Sequence, residues 1–432
     1  MRRRLSALPR QLAARLPLLG ALLLAAALGA GGAYLIARDD DDGEQPAIAA
    51  PAPRVIAQVS VPEQPSDLGF PAFATKNTTR VSGADPATDA AGVALAVYPS
   101  TGGVSGPAAV TLVDASDWHS GIAASSLVAD PVGAPILVTG SGSIPELTAS
   151  ALRSLDPRGT AATAGRQVIA IGQAARPEGF EVLEVEGSEP AALAAEIDQL
   201  RERLAGKPDH LLLVSADEPA LAMPAAGWAA RSGDPVLFVE RDSVPEPTRE
   251  ALRHHEGTPT YVLAPESVVS EKAMKEIEKL APTAQRLGAE DPVANAIEFA
   301  RFASGSFGWN INDPGHGLVI ASSRRPLDAA AAAPLSASGA WGPLLVTDDG
   351  SSVPEALSGY LLDLKPGYAG DPTRAVYNHV WLMGDEEALS VDFQARVDEL
   401  VELAPVTSGT GRTSLGPPPG RPESQPDQDE KP

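Results

Sequence analysis

The chain contains no cysteine. That excludes a disulfide framework, a thiolate-ligated zinc or iron–sulfur site, and a lipid-modified N-terminal cysteine. Aromatic residues are sparse, at 4%. Basic residues are outnumbered, with 33 Lys and Arg against 56 Asp and Glu, for a formal net charge of −23. A chain this acidic is repelled by nucleic acid and by anionic membrane surfaces. Histidine occurs only six times, with no His-x-x-x-His or Glu-x-x-His pair to mark a metal site. Nothing in the sequence calls for a cofactor, and neighbours such as Asp117, His119 and Ser120 do not by themselves make a catalytic triad, which needs spatial geometry.

What the chain has is a patterned N-terminus and a repeat. Arg2, Arg3, Arg4, Arg10 and Arg15 precede an uncharged stretch from Leu16 to Ala37, which Arg38 and a run of Asp end. About 20 apolar residues suffice to cross a bilayer as a helix, and the Arg excess places the N-terminal side in the cytoplasm. A cleaved signal peptide is the rival, with small residues at Ala25, Ala27, Gly29 and Ala30; its apolar core is usually shorter, about 7–15 residues. The expected organisation is a cytoplasmic segment over 1–15, a transmembrane signal anchor over 16–37 and an extracytoplasmic linker over 38–74. Three repeats follow over 75–179, 180–284 and 285–407, and a disordered Gly/Pro/Ser-rich tail over 408–432.

Each repeat reads the same way. A short segment leads to an acid–Pro pair at Asp85–Pro86, Glu189–Pro190 and Asp291–Pro292, which opens a helix. The second and third of these helices are expected to end at Gly206 and Gly305. A buried strand follows, then an Ala-rich helix, then a motif strand beginning at Ile136, Val236 and Leu344. Pro145, Pro245 and Pro354 start another helix, and a third strand comes after it. Repeats two and three add a final helix, which "QAARPEGF" replaces in repeat one. Apolar strands alternating with helices predict parallel sheets covered on both faces: an α/β fold of three tandem small three-layer domains, preceded by one transmembrane helix. The three motif strands are expected at equivalent, interior places.

These residues resemble the cell wall-binding repeat type 2 family. Its Pro-Ile-Leu-Leu signature is matched by Pro135, Ile136 and Leu137, by Pro235, Val236 and Leu237, and by Pro343, Leu344 and Leu345. Its Arg-x-x-Gly start resembles Arg80 to Gly83, and Arg286-Leu287-Gly288 is one residue shorter. The family's Asp after the second strand survives as Asp328 alone. The resemblance implies three modules packed as a triangle, non-covalent binding of an envelope polysaccharide, and a signature at the binding surface.

Independently of any family, ligands of open α/β sheets sit beyond the carboxyl ends of the strands. That rule selects Asp114, Asp117, Asp217, Glu218, Arg324 and Arg325 after the second strands. After the motif strands it selects Thr139 to Ser143, Glu240 to Asp242, and Thr347 to Asp349. Repeat three is expected to dominate binding, through Arg324, Arg325, Asp328, Trp341 and Asp348. The leading expectation is therefore a single-pass membrane protein whose domains face the cell wall and bind an envelope polymer. A scaffold for a protein partner, and an envelope saccharide-acting enzyme using Asp328 or Asp348, are the alternatives.

Overall fold

The computed structural model describes residues 73–98 and 106–406. The expected anchor over 16–37, most of the linker and the tail lie outside the described residues. Among the described residues no helix is long and apolar enough to cross a membrane.

The described residues form three separate main sheets, mainly parallel, and one minor two-stranded sheet. Module 1 holds β3 (Val110–Asp114), β4 (Ile136–Thr139), β5 (Val168–Ile171) and β6 (Val182–Val185), in the order β4-β3-β5-β6. Module 2 holds β7 (Leu211–Ser215), β8 (Val236–Val239), β9 (Thr260–Leu263) and β10 (Gln285–Leu287), ordered β8-β7-β9-β10. Module 3 is built on β11 (Gly317–Ser322), β12 (Leu344–Thr347) and β14 (His379–Met383). Its fourth strand is β2 (Thr78–Val81), with β1 (Phe73–Ala74) antiparallel beyond it. A minor pair joins β13 (Gly367–Tyr368) to β15 (Ala404–Pro405).

The sheets are offset from the sequence repeats by one strand. The opening strand of each repeat completes the sheet of another: β6 closes module 1, β10 closes module 2, and β2, from the start of the chain, closes module 3. The helix after each of these strands then crosses to its own repeat. These helices are α1 (Pro86–Val97), α4 (Pro190–Ala205) and α8 (Pro292–Arg301), and they pack on β4, β8 and β12. Asp85 and Asp291 cap two of them, accepting from Thr88 N and Ala294 N. Helix α4 does stop at Gly206, whereas α8 ends at Arg301, short of the expected Gly305.

The Ala-rich helices α2 (Trp118–Ala124), α5 (Pro219–Ser232) and α9 (Leu327–Pro334) meet one another at the centre. Small side chains permit that approach. A Cβ on Gly121 would stand 2.7 Å from Leu327 Cδ2 and 3.0 Å from Ala330 Cβ; one on Gly227 would stand 2.9 Å from Ser336 Oγ. Native interiors have no room for an added methyl here.

The motif strands share one register: Ile136 lies opposite Thr111, Val236 opposite Leu212 and Leu344 opposite Val319. Each is the edge strand of its sheet, yet helices cover it completely. The prolines at 145, 245 and 354 occupy the cap position, and α3 (Glu146–Leu155), α6 (Glu246–His254) and α10 (Glu355–Asp363) begin one residue later. Thr148 and Thr248 then donate to the Val138 and Phe238 carbonyls at 2.7 Å, fastening α3 and α6 to their strands. Modules 2 and 3 carry the final helices α7 (Glu271–Leu280) and α11 (Val391–Val401); no helix intervenes between β5 and β6 in module 1.

Candidate functional site

The loops after the second strand and after the motif strand leave each sheet at its carboxyl edge. In module 1 they frame a cleft of about 410 Å³. Its walls are the N-terminal turns of α1 and α3, represented by Thr88 and Leu147; Thr139, Gly140 and Ser143 form its floor, and Asp85 and Glu146 its acidic rim. Both helices direct the positive end of their dipole here. The floor is braced by a turn in which Gly140 and Ser143 pair, and by Thr139 Oγ1, which accepts from Ala175 N at 3.0 Å. Asp114 lies behind it. Burial pushes this carboxylate up, but hydrogen bonds from Ser116 and Ser141 outweigh that and hold it below the usual range. The lining between is mainly apolar, with Pro86, Ala87, Ala115, Pro145 and Leu147, so the cleft suits a neutral ligand better than a polyanion, which the rim repels.

At the same edge of module 2, Asp217, Glu218, Glu240, Arg241 and Asp242 are exposed. Arg241 is drawn away to the Ser267 carbonyl. In module 3, Arg324 and Asp348 are exposed. Asp349 folds back onto Ser351 and Ser352, whose hydrogen bonds hold its carboxyl far below the ordinary range.

Arg325, expected at an open edge, turns inward. Its Nη2 donates to Asp89 Oδ2 at 2.6 Å, its Nη1 to the Gly83 carbonyl at 3.1 Å, and its Nε pairs with Asp328 Oδ2 at 2.8 Å. Asp89 and Asp328 are both 0% exposed. Burial, then the charge of Asp328, pushes Asp89 up to about 9, against the pull of Arg325 and the Gly83 N–H. Burial pushes Asp328 up to about 7, again against Arg325. One guanidinium serves two buried carboxyls, so the group holds a proton at neutral pH. It joins α1 of repeat one to α9 of repeat three. Gly384 leaves it room, since a Cβ there would stand 2.9 Å from Arg325 Nη1. Arg325 and Asp328 thus hold this edge together from within the fold.

The signature residues are also interior. Ile136, Leu137, Val236, Leu237, Leu344 and Leu345 are at most 1% exposed, and Pro135, Pro235 and Pro343 are buried with them. These aliphatics stabilise the fold by about 2 kcal/mol each on burial, and the exposed polar groups lie in the loops that follow them. Trp341 is 59% exposed, with φ 58°, but it precedes β12 while Asp348 follows it. The four residues of β12 and the two before it separate them by roughly 20 Å, at opposite ends of the strand.

Two polar arrangements were invisible in the sequence. Arg80 is 2% exposed in β2 and donates to Gln394 Oε1 and to the carbonyls of Gly384, Asp385 and Ser390. The Arg-x-x-Gly start is therefore a fastening of β2 to module 3. At the amino edge of module 2, Ser306 Oγ lies 3.1 Å from His210 Nε2, and His210 Nδ1 lies 3.1 Å from Asp234. Trp228 Nε1 donates to the same carboxylate. The order Ser, His, Asp is that of a triad, but the N–H of Phe307 beside Ser306 is spent on the Ser304 carbonyl. It does not serve as an oxyanion donor. The contact docks the turn before β11 onto module 2, with Phe307 stacked on Tyr261 at 3.7 Å. Repeat spacing could not reveal it, because the partners are 96 residues apart.

No protein-family model matches the chain, and no curated protein matches it. Solved structures do. Cwp6 from Clostridium difficile aligns with a TM-score of 0.58 at 18% identity, covering 74% of this chain and 48% of that one. Cwp8 from Clostridium difficile aligns with a TM-score of 0.59 at 18% identity, covering 75% of this chain and 52% of that one. The chain spans about half the length of these structures, and the likeness is one of fold.

Proposed function

We propose that this protein is a cell-envelope protein that binds a hydroxyl-rich envelope polysaccharide non-covalently at the carboxyl edges of its modules. The observation that carries the reading is the module 1 cleft, where two helix N-termini and the Thr139 to Ser143 loop meet. Arg324 and Asp348 of module 3 supply a second contact area. The shared fold with Cwp6 and Cwp8, and the resemblance of the repeats to the cell wall-binding type 2 family, point to the same compartment. In this reading the uncharged run over 16–37 is the membrane anchor, with the Arg-rich segment before it in the cytoplasm. The modules are binding domains rather than enzymes.

The test is co-sedimentation of the detergent-solubilised full chain with protein-stripped cell walls. Ser143→Trp fills the cleft and should lower the bound fraction about tenfold, the loss of some 1.4 kcal/mol. Lys279→Trp, on the exposed face of α7, should leave it unchanged. A wild-type protein that stays in the supernatant would defeat the whole reading; equal sedimentation of both variants would move the site away from module 1.

A further inference from the structure

Module 2 buries a polar pair where its sister modules bury alanine and leucine. Counted from Pro86, Pro190 and Pro292, one position of the first helix is Ala94, Asp198 and Ala300. Counted from Pro145, Pro245 and Pro354, the end of the second helix is Leu155, His255 and Leu364. Both alanines and both leucines are 0% exposed, so the fold itself asks only for a small residue against a leucine. Asp198 and His255 are 2% and 3% exposed in the same places.

The imidazole is oriented. His255 Nε2 lies 3.1 and 2.9 Å from the two oxygens of Asp198, which fixes its proton on that nitrogen. Its Nδ1 is buried without a hydrogen-bond partner. A buried lone pair with nothing to accept is unfavourable, and a leucine avoids it. One turn along α4, Glu202 Oε2 meets His254 Nε2 at 2.5 Å. One donor atom each from Glu202, His254 and His255 falls within 4.8 Å of the other two. A groove of about 540 Å³ between α4 and α6 opens beside them, lined in part by Asp198, Glu202, Pro247 and His254.

We propose that Glu202, His254 and His255 bind a divalent transition-metal ion of the zinc class, with Asp198 as the outer carboxylate that orients His255. Two imidazoles and a carboxylate are a donor set zinc accepts while keeping a position for water or a further ligand. A carboxylate behind a ligating histidine is the usual second-shell arrangement. Calcium and magnesium prefer oxygen donors throughout, so the two nitrogens select against them. Zinc–donor distances of about 2.0–2.2 Å require the three atoms to draw together by roughly 1 Å. The exposed His254 side chain has the freedom to do so. The ion replaces the His254–Glu202 pair and staples α4 to α6. This inference stands apart from the polysaccharide reading: the groove belongs to module 2, and neither result decides the other.

The test uses the detergent-solubilised full chain, freed of metal with EDTA. It is titrated with Zn²⁺ by calorimetry, and with Co²⁺ to record visible absorption. One ion should bind per chain, with the intense visible bands of four-coordinate cobalt. His254→Gln and Glu202→Gln change partly solvated side chains and should fold normally, yet weaken binding at least tenfold. Asp198→Ala with His255→Leu restores the sister pattern; it should fold and bind no ion. Absence of binding in the wild type, undiminished affinity in His254→Gln, or undiminished affinity in the Asp198/His255 double variant would each overturn the proposal.

Discussion

Replacing Asp89 with Asn should reshape the pH dependence of stability. In the unfolded chain this carboxyl titrates near 3.8; in the fold it is pushed up to about 9, by burial first. The folded state therefore holds a proton that the unfolded state has lost, and stability falls as pH rises from about 4 toward 9. The slope for one proton is about 1.4 kcal/mol per pH unit, which gives about 4 kcal/mol between pH 5 and pH 8. Asp328, pushed up to about 7, shares the titration, so about 2–4 kcal/mol is a fair range for the group. In a chain of this size, at about 2.1 cal/mol/K per residue, that corresponds to roughly 2–6 °C in Tm. Asn carries no charge to bury. The same place in repeat three is already Asn295, which accepts from Ala289 N at 3.2 Å and donates to the Leu221 carbonyl. In Asp89→Asn, Arg325 is left with Asp328 alone and the pair is neutral. Thermal unfolding of both proteins from pH 5 to 8.5 checks this. The variant should gain on the wild type as pH rises and be the more stable at pH 8. Parallel Tm profiles, or a variant that loses ground as pH rises, would refute the buried shared proton.

Gly121→Val at the central helix contact should cost about 1–3 kcal/mol in urea unfolding, because the new methyls meet Leu327 and Ala330; a neutral result would mean α2 and α9 are not in contact. Arg80→Ala should cost at least about 3 kcal/mol, since it strands buried carbonyls at Gly384, Asp385 and Ser390. Limited proteolysis should then cut near residue 83 first, and unchanged cleavage would argue against the fastening. Protease added to intact, wall-stripped cells should remove the modules, whereas full protection would contradict the orientation read from Arg2 to Arg15.

The repeat, the strands and most helix starts were legible because they are local. Strands buried on both faces are apolar throughout, and Pro after an acid marks a helix start wherever it falls. Which sheet a strand joins is not local. Thr78–Val81 reads only as part of a short segment leading into a helix, and nothing in it names β14, some 300 positions on, as a strand partner. The direction of Arg325 was lost for the same reason: its partner Asp89 lies 236 residues away, and a strand-end Arg looks the same whether it faces water or a buried acid. The three Pro-Ile-Leu-Leu-like stretches all fall on interior strands. Their burial shows what such a pattern marks physically, which is a strand that must be apolar on both faces, with the polar atoms in the loop behind it. The Asp198–His255 pair escaped notice because the two helices that carry it are separated by a strand, a helix and a second strand.

The borrowing of β6, β10 and β2 has an arithmetical consequence. A solenoid can gain or lose a repeat, because each unit meets only its neighbours and the ends are capped. Here the first strand of the first repeat fills the vacancy left by the last, so there is no end at which to add one. A fourth copy inserted in tandem would have to open the β2–β14 pair and part α2, α5 and α9, whose mutual contact exists only for three. Like a rotation that closes after a fixed number of steps, the count is set by geometry. Variation among relatives of this chain is then expected inside the loops or beyond residues 73 and 406, and not in the number of modules.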